Sequence, residues 1–351
     1  MLAFLFRSIV LGVAAALLLL LSVPSLRTDA MNILAQPAAP EEAFISYNSA
    51  FRKASPAVVN IYNKRFNNET RSMELTSAAS GVIMSDKGYI LTNYHVIINA
   101  DEITVALQDG RIINAHLVGK DKRIDLAVLR VEGGDFPVIP QDPNYSPKVG
   151  DVVLAIGNPN NLGQTVTSGI LSATGRSGVR IIGSPLDLLQ TDAAINDGNS
   201  GGALVNSRGV LVGINTASQK DTETQGISFA IPYPIAIKIM KKLIADGRVI
   251  RGFIGISGNQ VSPLTARLHN IEPLSGILVT EVSLGGPADS AGLQPRDLLI
   301  EIDNTPLHNN LSTGFDIVAD LRPGTKTTVT VIRNGETLTL PIIIGEAPLD
   351  P

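Results

Sequence analysis

The sequence predicts a mainly β protein that ends in a smaller α+β domain. From residue 56 onward, short runs with β-strand character are separated by turns rich in Gly, Asp and Asn, a pattern typical of antiparallel barrels or sandwiches. A long helical pattern follows only near residue 233, so the helices that a parallel α/β sheet needs between its strands are missing. The 32 glycines and 21 prolines also suit a chain with many turns.

Length and composition narrow the classes of protein. The 351 residues suggest about two domains, and 44% apolar residues are enough for real cores. A net charge of −4 without a basic block argues against nucleic-acid binding. Because cysteine is absent, disulfides, thiolate metal sites and a cysteine nucleophile are excluded. The four histidines, at 95, 116, 269 and 308, lack metal-ligand spacing, so we expect neither a metal nor a cofactor.

The N-terminal segment, residues 1–27, is predicted to be a transmembrane anchor. Arg7 is followed by about 19 uncharged residues, Ser8 to Leu26, which is long enough to span a bilayer as a helix. A cleaved signal peptide is the alternative, but the end of this run offers no clean cleavage site. Residues 28–41 have the small, proline-bearing composition of a linker. With an uncleaved anchor, everything after residue 30 would lie outside the cytoplasm.

Further segments can be placed along the chain. Residues 42–55 form an amphipathic segment whose aromatic side chains either pack on their own domain or contact another subunit. A helix is predicted over about 233–248, with Gly247 suited to its end. The region of about 95 residues after it mixes strands with short helices and contains a hairpin turn at Asn334-Gly335.

One stretch, "DGNSGGALVN" at residues 197–206, contains a candidate nucleophile, Ser200. A serine nucleophile needs a neighbouring base, an acid that orients the base, and amide donors for the oxyanion. Gly198 allows the backbone to bend so that its own amide and that of Ser200 point at one spot. The same letters also satisfy the G-x-S-x-G motif of α/β-hydrolases, and a plain glycine-rich turn is a third interpretation.

The order of residues along the chain favours a class other than the α/β-hydrolases, in which the histidine follows the serine. Here the later histidines lie in the second domain, whereas His95 in "ILTNYHVI" precedes Ser200 and is expected to end a strand. Asp125 in "KRIDLAVLRV" begins an apolar strand, so it is more easily buried than its rival Asp121. The candidate catalytic set is therefore His95 as base, Asp125 as orienting acid and Ser200 as nucleophile.

Six segments resemble the HtrA family of chymotrypsin-like serine proteases: "LTNYHVI", "DLAVLRV", "GNP", "SGILSATGR", "QTDAAINDGNSGGALVN" and "GISFAIP". The downstream region resembles a PDZ domain. The resemblance implies a double β-barrel protease domain over 42–250 and one PDZ domain over 251–345. One PDZ domain and an N-terminal anchor resemble the inner-membrane type of this family, whose members form trimers and face the periplasm.

The resemblance also implies how the protease site is built. The oxyanion donors would be the amides of Gly198 and Ser200, although Asp197 stands where the family usually has Pro or His. The substrate pocket is expected to consist of small or apolar residues: Ala194, Ile195, Ile214, Asn215 and Thr216. Because none of these is acidic, we expect cleavage after a small or aliphatic residue and not after Lys or Arg.

The PDZ resemblance implies a site for C-terminal peptides, which bind by adding a strand to a sheet edge. The amides of Phe253, Ile254 and Gly255 would hold the carboxylate. The side-chain pocket would be lined by four apolar residues: Ile254, Ile256, Ile317 and Leu321. These apolar residues could instead only pack the domain core. Arg176, in the loop 175–187, would relay peptide binding to the oxyanion site.

By resemblance, the chain is a regulated periplasmic serine endopeptidase of the envelope stress response. C-terminal peptides of misfolded outer-membrane proteins would activate it, and its substrate would be a membrane-spanning anti-sigma factor. Two alternatives stay open: a general periplasmic quality-control protease with chaperone action, and a catalytically silent scaffold that uses its PDZ domain to bind C-termini.

Overall fold

The computed structural model describes residues 2–23, 46–158, 163–176, 180–181, 184–185, 188–196, 198–216, 226–261, 263–268, 276–307 and 311–348. The chain forms two compact units, Met1–Ser46 and Tyr47–Pro351. The first unit contains helix α1, Leu2–Ser22. Within the described ranges, no helix is found to be long and apolar enough to cross a membrane. The predicted linker, 28–41, lies outside the described residues.

The second unit opens with a short helix, α2, Asn48–Ala54, and a 3₁₀ turn over Ser55–Ala57. The partly buried Tyr47 and Phe51 pack against the core of this unit, as one of the two interpretations of segment 42–55 requires. The neighbouring Phe44 lies outside the described residues. The second interpretation, a contact with another subunit, stays a prediction.

Six antiparallel strands close the first barrel, in the order β1-β2-β3-β6-β5-β4. They are β1 Val58–Asn67, β2 Ser72–Ile83, β3 Tyr89–Thr92, β4 Glu102–Ala106, β5 Ile112–Asp121 and β6 Leu126–Arg130. Strands β1 and β2 form a long hairpin that is paired as far as Asn67 and Ser72. Backbone pairing sustains this hairpin, although its side chains from 72 to 76 are exposed.

A second closed barrel follows, in the order β11-β14-β13-β12-β7-β8. Its strands are β7 Val152–Gly157, β8 Thr165–Arg176, β11 Leu188–Thr191, β12 Ala203–Asn206, β13 Leu211–Thr216 and β14 Ser228–Pro232. Between β8 and β11 the described residues form a small pair, β9 Arg180–Ile181 and β10 Ser184–Pro185. The prediction of a double β-barrel is therefore confirmed.

Helix α3, Tyr233–Asp246, connects the barrels to the last domain. It ends at Gly247, whose φ of 70° is the left-handed conformation that glycine adopts most easily. Ile239 and Leu243 are buried in the core shared with the first barrel, whereas Ile235 is only partly buried. The helix thus covers the barrel with one face, as its apolar spacing predicts.

The last domain is a small sheet with short helices around its own core. Five of its strands pair in the order β16-β17-β18-β20-β21, while β19 pairs with β18 and β15 with β22. Its strands are β15 Gly252–Phe253, β16 Ile256–Gln260, β17 Ile277–Val282, β18 Leu298–Ile302, β19 Thr305–Pro306, β20 Lys326–Arg333, β21 Glu336–Ile343 and β22 Gly345–Glu346. The helices are α4 Pro263–Leu268, α5 Pro287–Ser290 and α6 Leu311–Asp320.

Asn334 and Gly335 both have positive φ, 52° and 89°, at the β20–β21 turn, as the sequence predicts.

Candidate active site

The carboxylate of Asp125 is buried and fixed by several donors. This residue directly precedes β6, is 2% exposed and has a φ of 58°. One carboxylate oxygen, Oδ1, accepts a hydrogen bond from the His95 amide at 2.9 Å, and the other, Oδ2, lies 2.7 Å from His95 Nδ1. Its backbone carbonyl accepts hydrogen bonds from the Tyr94 amide and the Asn93 side chain, at 3.1 and 3.0 Å. The acid is therefore well placed to fix the orientation of the imidazole.

His95 does not end a strand, contrary to the sequence prediction. Strand β3 stops at Thr92, and His95 lies in a 3₁₀ turn, Tyr94–Ile97. The turn is anchored because Asp125 bonds both the backbone and the ring of the same residue. The side chain remains one-third exposed, so part of the ring stays accessible from outside.

Ser200 lies in the turn between β11 and β12, on the second barrel, and is 4% exposed. Its carbonyl accepts a hydrogen bond from the Ser80 amide on β2 of the first barrel, at 3.0 Å. An ideal Cβ at Gly201 would lie 2.3 Å from the Thr92 hydroxyl and 3.2 Å from the Asn93 amide nitrogen. The serine turn is thus packed directly against the segment that leads into His95.

Strand β13 joins the serine turn to the acid. The Gly201 amide donates to the Asn215 carbonyl, and the Asn215 amide donates to the Gly202 carbonyl, both at 2.9 Å. The next residue, Thr216, places its hydroxyl 3.4 Å from Asp125 Oδ2. Asn215 and Thr216, which the sequence indicates as a pocket wall, therefore also connect the nucleophile turn with the acid.

Of the other predicted pocket residues, Ala194 alone is exposed. Ile195 and Ile214 are 4% and 0% exposed and belong to the cores of the barrels. The surface offered by the five predicted residues is therefore small and without charge.

The predicted oxyanion donors lie in the same turn as Ser200. Gly198 has a φ of 97°, a conformation that favours glycine, and its carbonyl accepts a hydrogen bond from the Ser80 hydroxyl at 2.7 Å. Asp197 lies outside the described residues. The predicted relay Arg176 ends β8, and its side chain is outside the described part of the structure, as is most of the loop after it.

A cavity of about 220 Å³ occupies the predicted peptide-binding position of the last domain. It is lined by residues 251–256, which include Phe253, Ile254, Gly255 and Ile256, and by three residues of α6, Phe315, Val318 and Ala319. Ile317 and Leu321, which the sequence indicates, pack instead against the domain core. The adjoining strand β16 lies at the edge of its sheet in the described residues, where a peptide can add a strand.

The turn between β5 and β6 connects this cavity with the acid of the active site. Arg123, on that turn, also lines the cavity. Arg251, at the start of the cavity's loop, forms a salt bridge with the buried Asp121 of the same turn, and Asp121 Oδ1 accepts the Arg123 amide at 3.0 Å. Asp125 is the last residue of this turn. Along the chain, therefore, only a few residues separate Arg123 at the peptide cavity from Asp125 at the active site.

Two exposed salt-bridge clusters also join the protease barrels to the last domain. Asp320 pairs with Lys238 and Lys242 of α3, and Glu346 pairs with Arg248. Burial acts to raise the pKa of Asp320, but hydrogen bonds from the two lysines outweigh it and hold that pKa below its ordinary value.

Among the described residues, no group of three or more His, Asp or Glu could hold a metal ion.

Two β-barrels that bring a His–Asp pair and a glycine-flanked serine to their junction define a serine protease of the chymotrypsin type, here followed by a PDZ-like domain. A family model described as a trypsin-like peptidase domain matches residues 79–214, and one described as a PDZ domain matches 252–344. Serine endoprotease DegS of Escherichia coli K12 is 52% identical over 352 residues, with 98% of both chains covered. DegS of Haemophilus influenzae is 43% identical over the whole of both chains. The chain belongs to the HtrA family, is DegS-like, and is a serine endopeptidase.

Solved structures agree with this assignment. The HtrA-type protease AlgW with a tripeptide is 43% identical, with a TM-score of 0.79 over 87% of this chain and 98% of its own. A serine endoprotease from Yersinia pestis is 50% identical, with a TM-score of 0.71 over 86% of this chain and 98% of its own. The family resemblance found in the sequence is therefore confirmed.

Sequence reasoning missed Ser80 and Arg123. A serine within a strand resembles any polar strand residue, and a basic residue in a turn resembles any solvated charge. Only the pairing of the two barrels and the placement of the last domain give these residues their neighbours.

Proposed function

We propose that His95, Asp125 and Ser200 act as the catalytic triad of this endopeptidase. Ser200 Oγ attacks the peptide carbonyl, His95 takes its proton and later returns it to the leaving amine, and Asp125 holds the imidazole. The amides of Gly198 and Ser200 stabilise the oxyanion. The observation that carries the proposal is the contact of 2.7 Å between His95 Nδ1 and a carboxylate that is buried and also bonded to the His95 amide.

The proposed pocket favours a small or aliphatic residue before the cleaved bond. Its five predicted residues carry no charge, and Ala194 is the one that is exposed. Peptides with Val or Ala at this position should be cut faster than matched peptides with Arg. A preference for Arg would contradict this assignment.

Regulation by a C-terminal peptide is supported by the cavity beside β16 and by its short connection to Asp125. The AlgW structures with a tripeptide and a decapeptide show that HtrA-type relatives bind peptides. We propose that peptide binding at residues 253–256 alters the Asp121–Arg251 contact and the turn that ends at Asp125, and that the loop with Arg176 transmits the signal to the oxyanion amides.

For the cellular role we propose the specialised function: a trimer anchored in the inner membrane by residues 1–27, with protease and PDZ domains, 42–250 and 251–345, in the periplasm. C-terminal peptides of misfolded outer-membrane proteins would activate it, and a membrane-spanning anti-sigma factor would be its substrate in the envelope stress response. The support is the match to DegS over 98% of both chains. The DegP-like relative of Hahella chejuensis, by contrast, is 43% identical over 281 residues, which is 59% of its own length.

The experiment that tests this function uses the full chain in detergent with the periplasmic segment of an anti-sigma factor. Peptides with free, apolar C-termini should accelerate its cleavage, and Ser200→Ala should abolish cleavage while peptide binding persists. Unchanged cleavage by Ser200→Ala would refute the triad. Degradation of unfolded model proteins without any peptide would favour the quality-control alternative, and absent proteolysis with intact peptide binding would favour the scaffold.

A further inference from the structure

We propose that Ser80 is a positioning residue for the nucleophile, held on the first barrel but acting on the turn of the second. The inference rests on the proposed role of Ser200 and extends it. Ser80 lies in the second half of β2, 118 residues before Gly198, and is 0% exposed.

Ser80 bonds the nucleophile turn at two carbonyls, that of Gly198 and that of the catalytic serine itself. Its hydroxyl donates to the Gly198 carbonyl at 2.7 Å, and its amide donates to the Ser200 carbonyl at 3.0 Å. One residue of the first barrel therefore holds two carbonyls of a three-residue segment in the second barrel. This segment contains both proposed oxyanion donors.

These two hydrogen bonds restrict the direction of the proposed oxyanion donor at Ser200. The peptide planes 198–199 and 200–201 are each held through their carbonyl oxygens, and the second is also held by the Gly201 amide, which donates to Asn215. The plane between them carries the Ser200 amide, and with its neighbours fixed it has fewer orientations. Such preorganisation is what makes amide donors effective toward a developing oxyanion.

The surroundings of Ser80 show that its hydroxyl has little freedom. It also accepts a hydrogen bond from the Asn158 amide at 2.9 Å, so it acts as donor and acceptor at once. An ideal Cβ at Gly157 would lie 2.9 Å from this hydroxyl and 2.7 Å from Asn199 Oδ1. The site is therefore closed on the side of β7, and any side chain at position 157 would displace Ser80 or Asn199.

Ser80 also connects the nucleophile turn with the segment of the general base. Its carbonyl accepts the hydroxyl of Thr92 at 2.8 Å, and Thr92 lies in the same segment shortly before His95. The same serine thus links the turn that contains Ser200 in the second barrel with the segment that leads to His95 in the first. A shift of the turn by a fraction of an ångström would reach the chemistry directly.

The test compares Ser80→Ala with wild type and with Thr104→Val, all as full chains with a saturating activating peptide. Thr104 is a matched control, because it is a hydroxyl residue on the first barrel, 5% exposed, whose hydrogen bonds stay within that barrel. We expect Ser80→Ala to lower kcat about 30- to 300-fold, the range for loss of one oxyanion donor or less. KM and the affinity for the activating peptide should stay within about twofold, since neither the pocket nor the PDZ domain is touched.

Three outcomes would overturn the inference. The first is a kcat of Ser80→Ala within about threefold of that of Thr104→Val, which would make the residue merely structural. The second is a Ser80→Cys variant, which keeps a weak donor, that is no more active than Ser80→Ala. The third is a Gly157→Ala variant that folds and keeps wild-type kcat, since its methyl group would occupy the space beside the Ser80 hydroxyl.

The experiment separates this inference from the proposed function. If Ser80→Ala does not fold, Gly157→Ala gives the answer in its place, because its kcat is compared with that of wild type. If Ser200→Ala retains full activity, the proposed triad fails and the inference with it. If Ser200→Ala is inactive and Ser80→Ala is fully active, only the inference fails.

Discussion

The junction between the two barrels and the junction between the protease and the PDZ domain are built differently. At the first, buried side chains such as Ser80 and Asp125 form hydrogen bonds with residues of the second barrel, Gly198 and Thr216. At the second, exposed salt bridges such as Lys238–Asp320 lie beside one buried pair, Arg251–Asp121. Buried networks are costly to break, whereas exposed pairs are weak and easily exchanged. We therefore expect the barrel junction to be harder to break than the exposed contacts of the PDZ domain, which can change at little cost in stability.

The largest effect is expected from a substitution of Asp125, the acid at the junction of the two barrels. Asp125→Asn should lower kcat by about 10³-fold or more, because the amide can stabilise the wrong ring tautomer and no longer balances a protonated imidazole. Thermal unfolding with activity measured in parallel gives the check. The substitution of the rival, Asp121→Asn, is the control; an equal loss of kcat there would show that the orienting role does not belong to Asp125 alone.

Gly201→Ala should have the next largest effect. The residue has a φ of 78°, and a Cβ would lie 2.2 Å from the Ser80 carbonyl oxygen. We expect a loss of about 2–4 kcal/mol in the free energy of unfolding from strain and displaced backbone. Gly335→Ala has a similar φ of 89° but open space around it, so it should cost about 1 kcal/mol. Equal losses in denaturant unfolding would show that the tight contact is unimportant.

Breaking the buried contact between the domains should have an intermediate effect. Arg251→Met leaves Asp121 buried and without its cation. The free energy of unfolding should fall by about 1–3 kcal/mol, and the peptide dose needed for half-maximal activation should change. Arg248→Met removes an exposed partner of Glu346 instead and should change both quantities less. The opposite ranking would argue that the turn 121–125 does not couple the domains.

The smallest effect concerns pH and Asp320. In the folded protein the pKa of Asp320 is lowered from its ordinary value of 3.8. Its contact with Lys238 and Lys242 therefore stabilises the folded state fully at pH values above 3.8, and this stabilisation is lost as the pH falls through the lower pKa of the folded state. Wild type should exceed Asp320→Asn in stability by only about 0.2–1 kcal/mol at neutral pH, because the pair is exposed. The difference in Tm between the two should stay constant from about pH 8 to 5 and shrink toward about pH 3. A difference that grows on acidification would contradict the sign.

The sequence by itself determined the mainly β fold, helix α3 with its glycine end, the Asn334-Gly335 turn, and the order His95, Asp125, Ser200 along the chain. These features follow from local patterns: apolar periodicity, turn chemistry and a short motif. Only the tertiary structure decided that His95 lies in a 3₁₀ turn, that segment 64–80 is a hairpin, and that α6 offers Phe315 and Val318 to the cavity in place of Ile317. The same holds for Ser80, because its partners lie 78 and 118 residues away. Contacts at such separations depend on how the closed barrels pack together, and no local pattern in the chain records that packing.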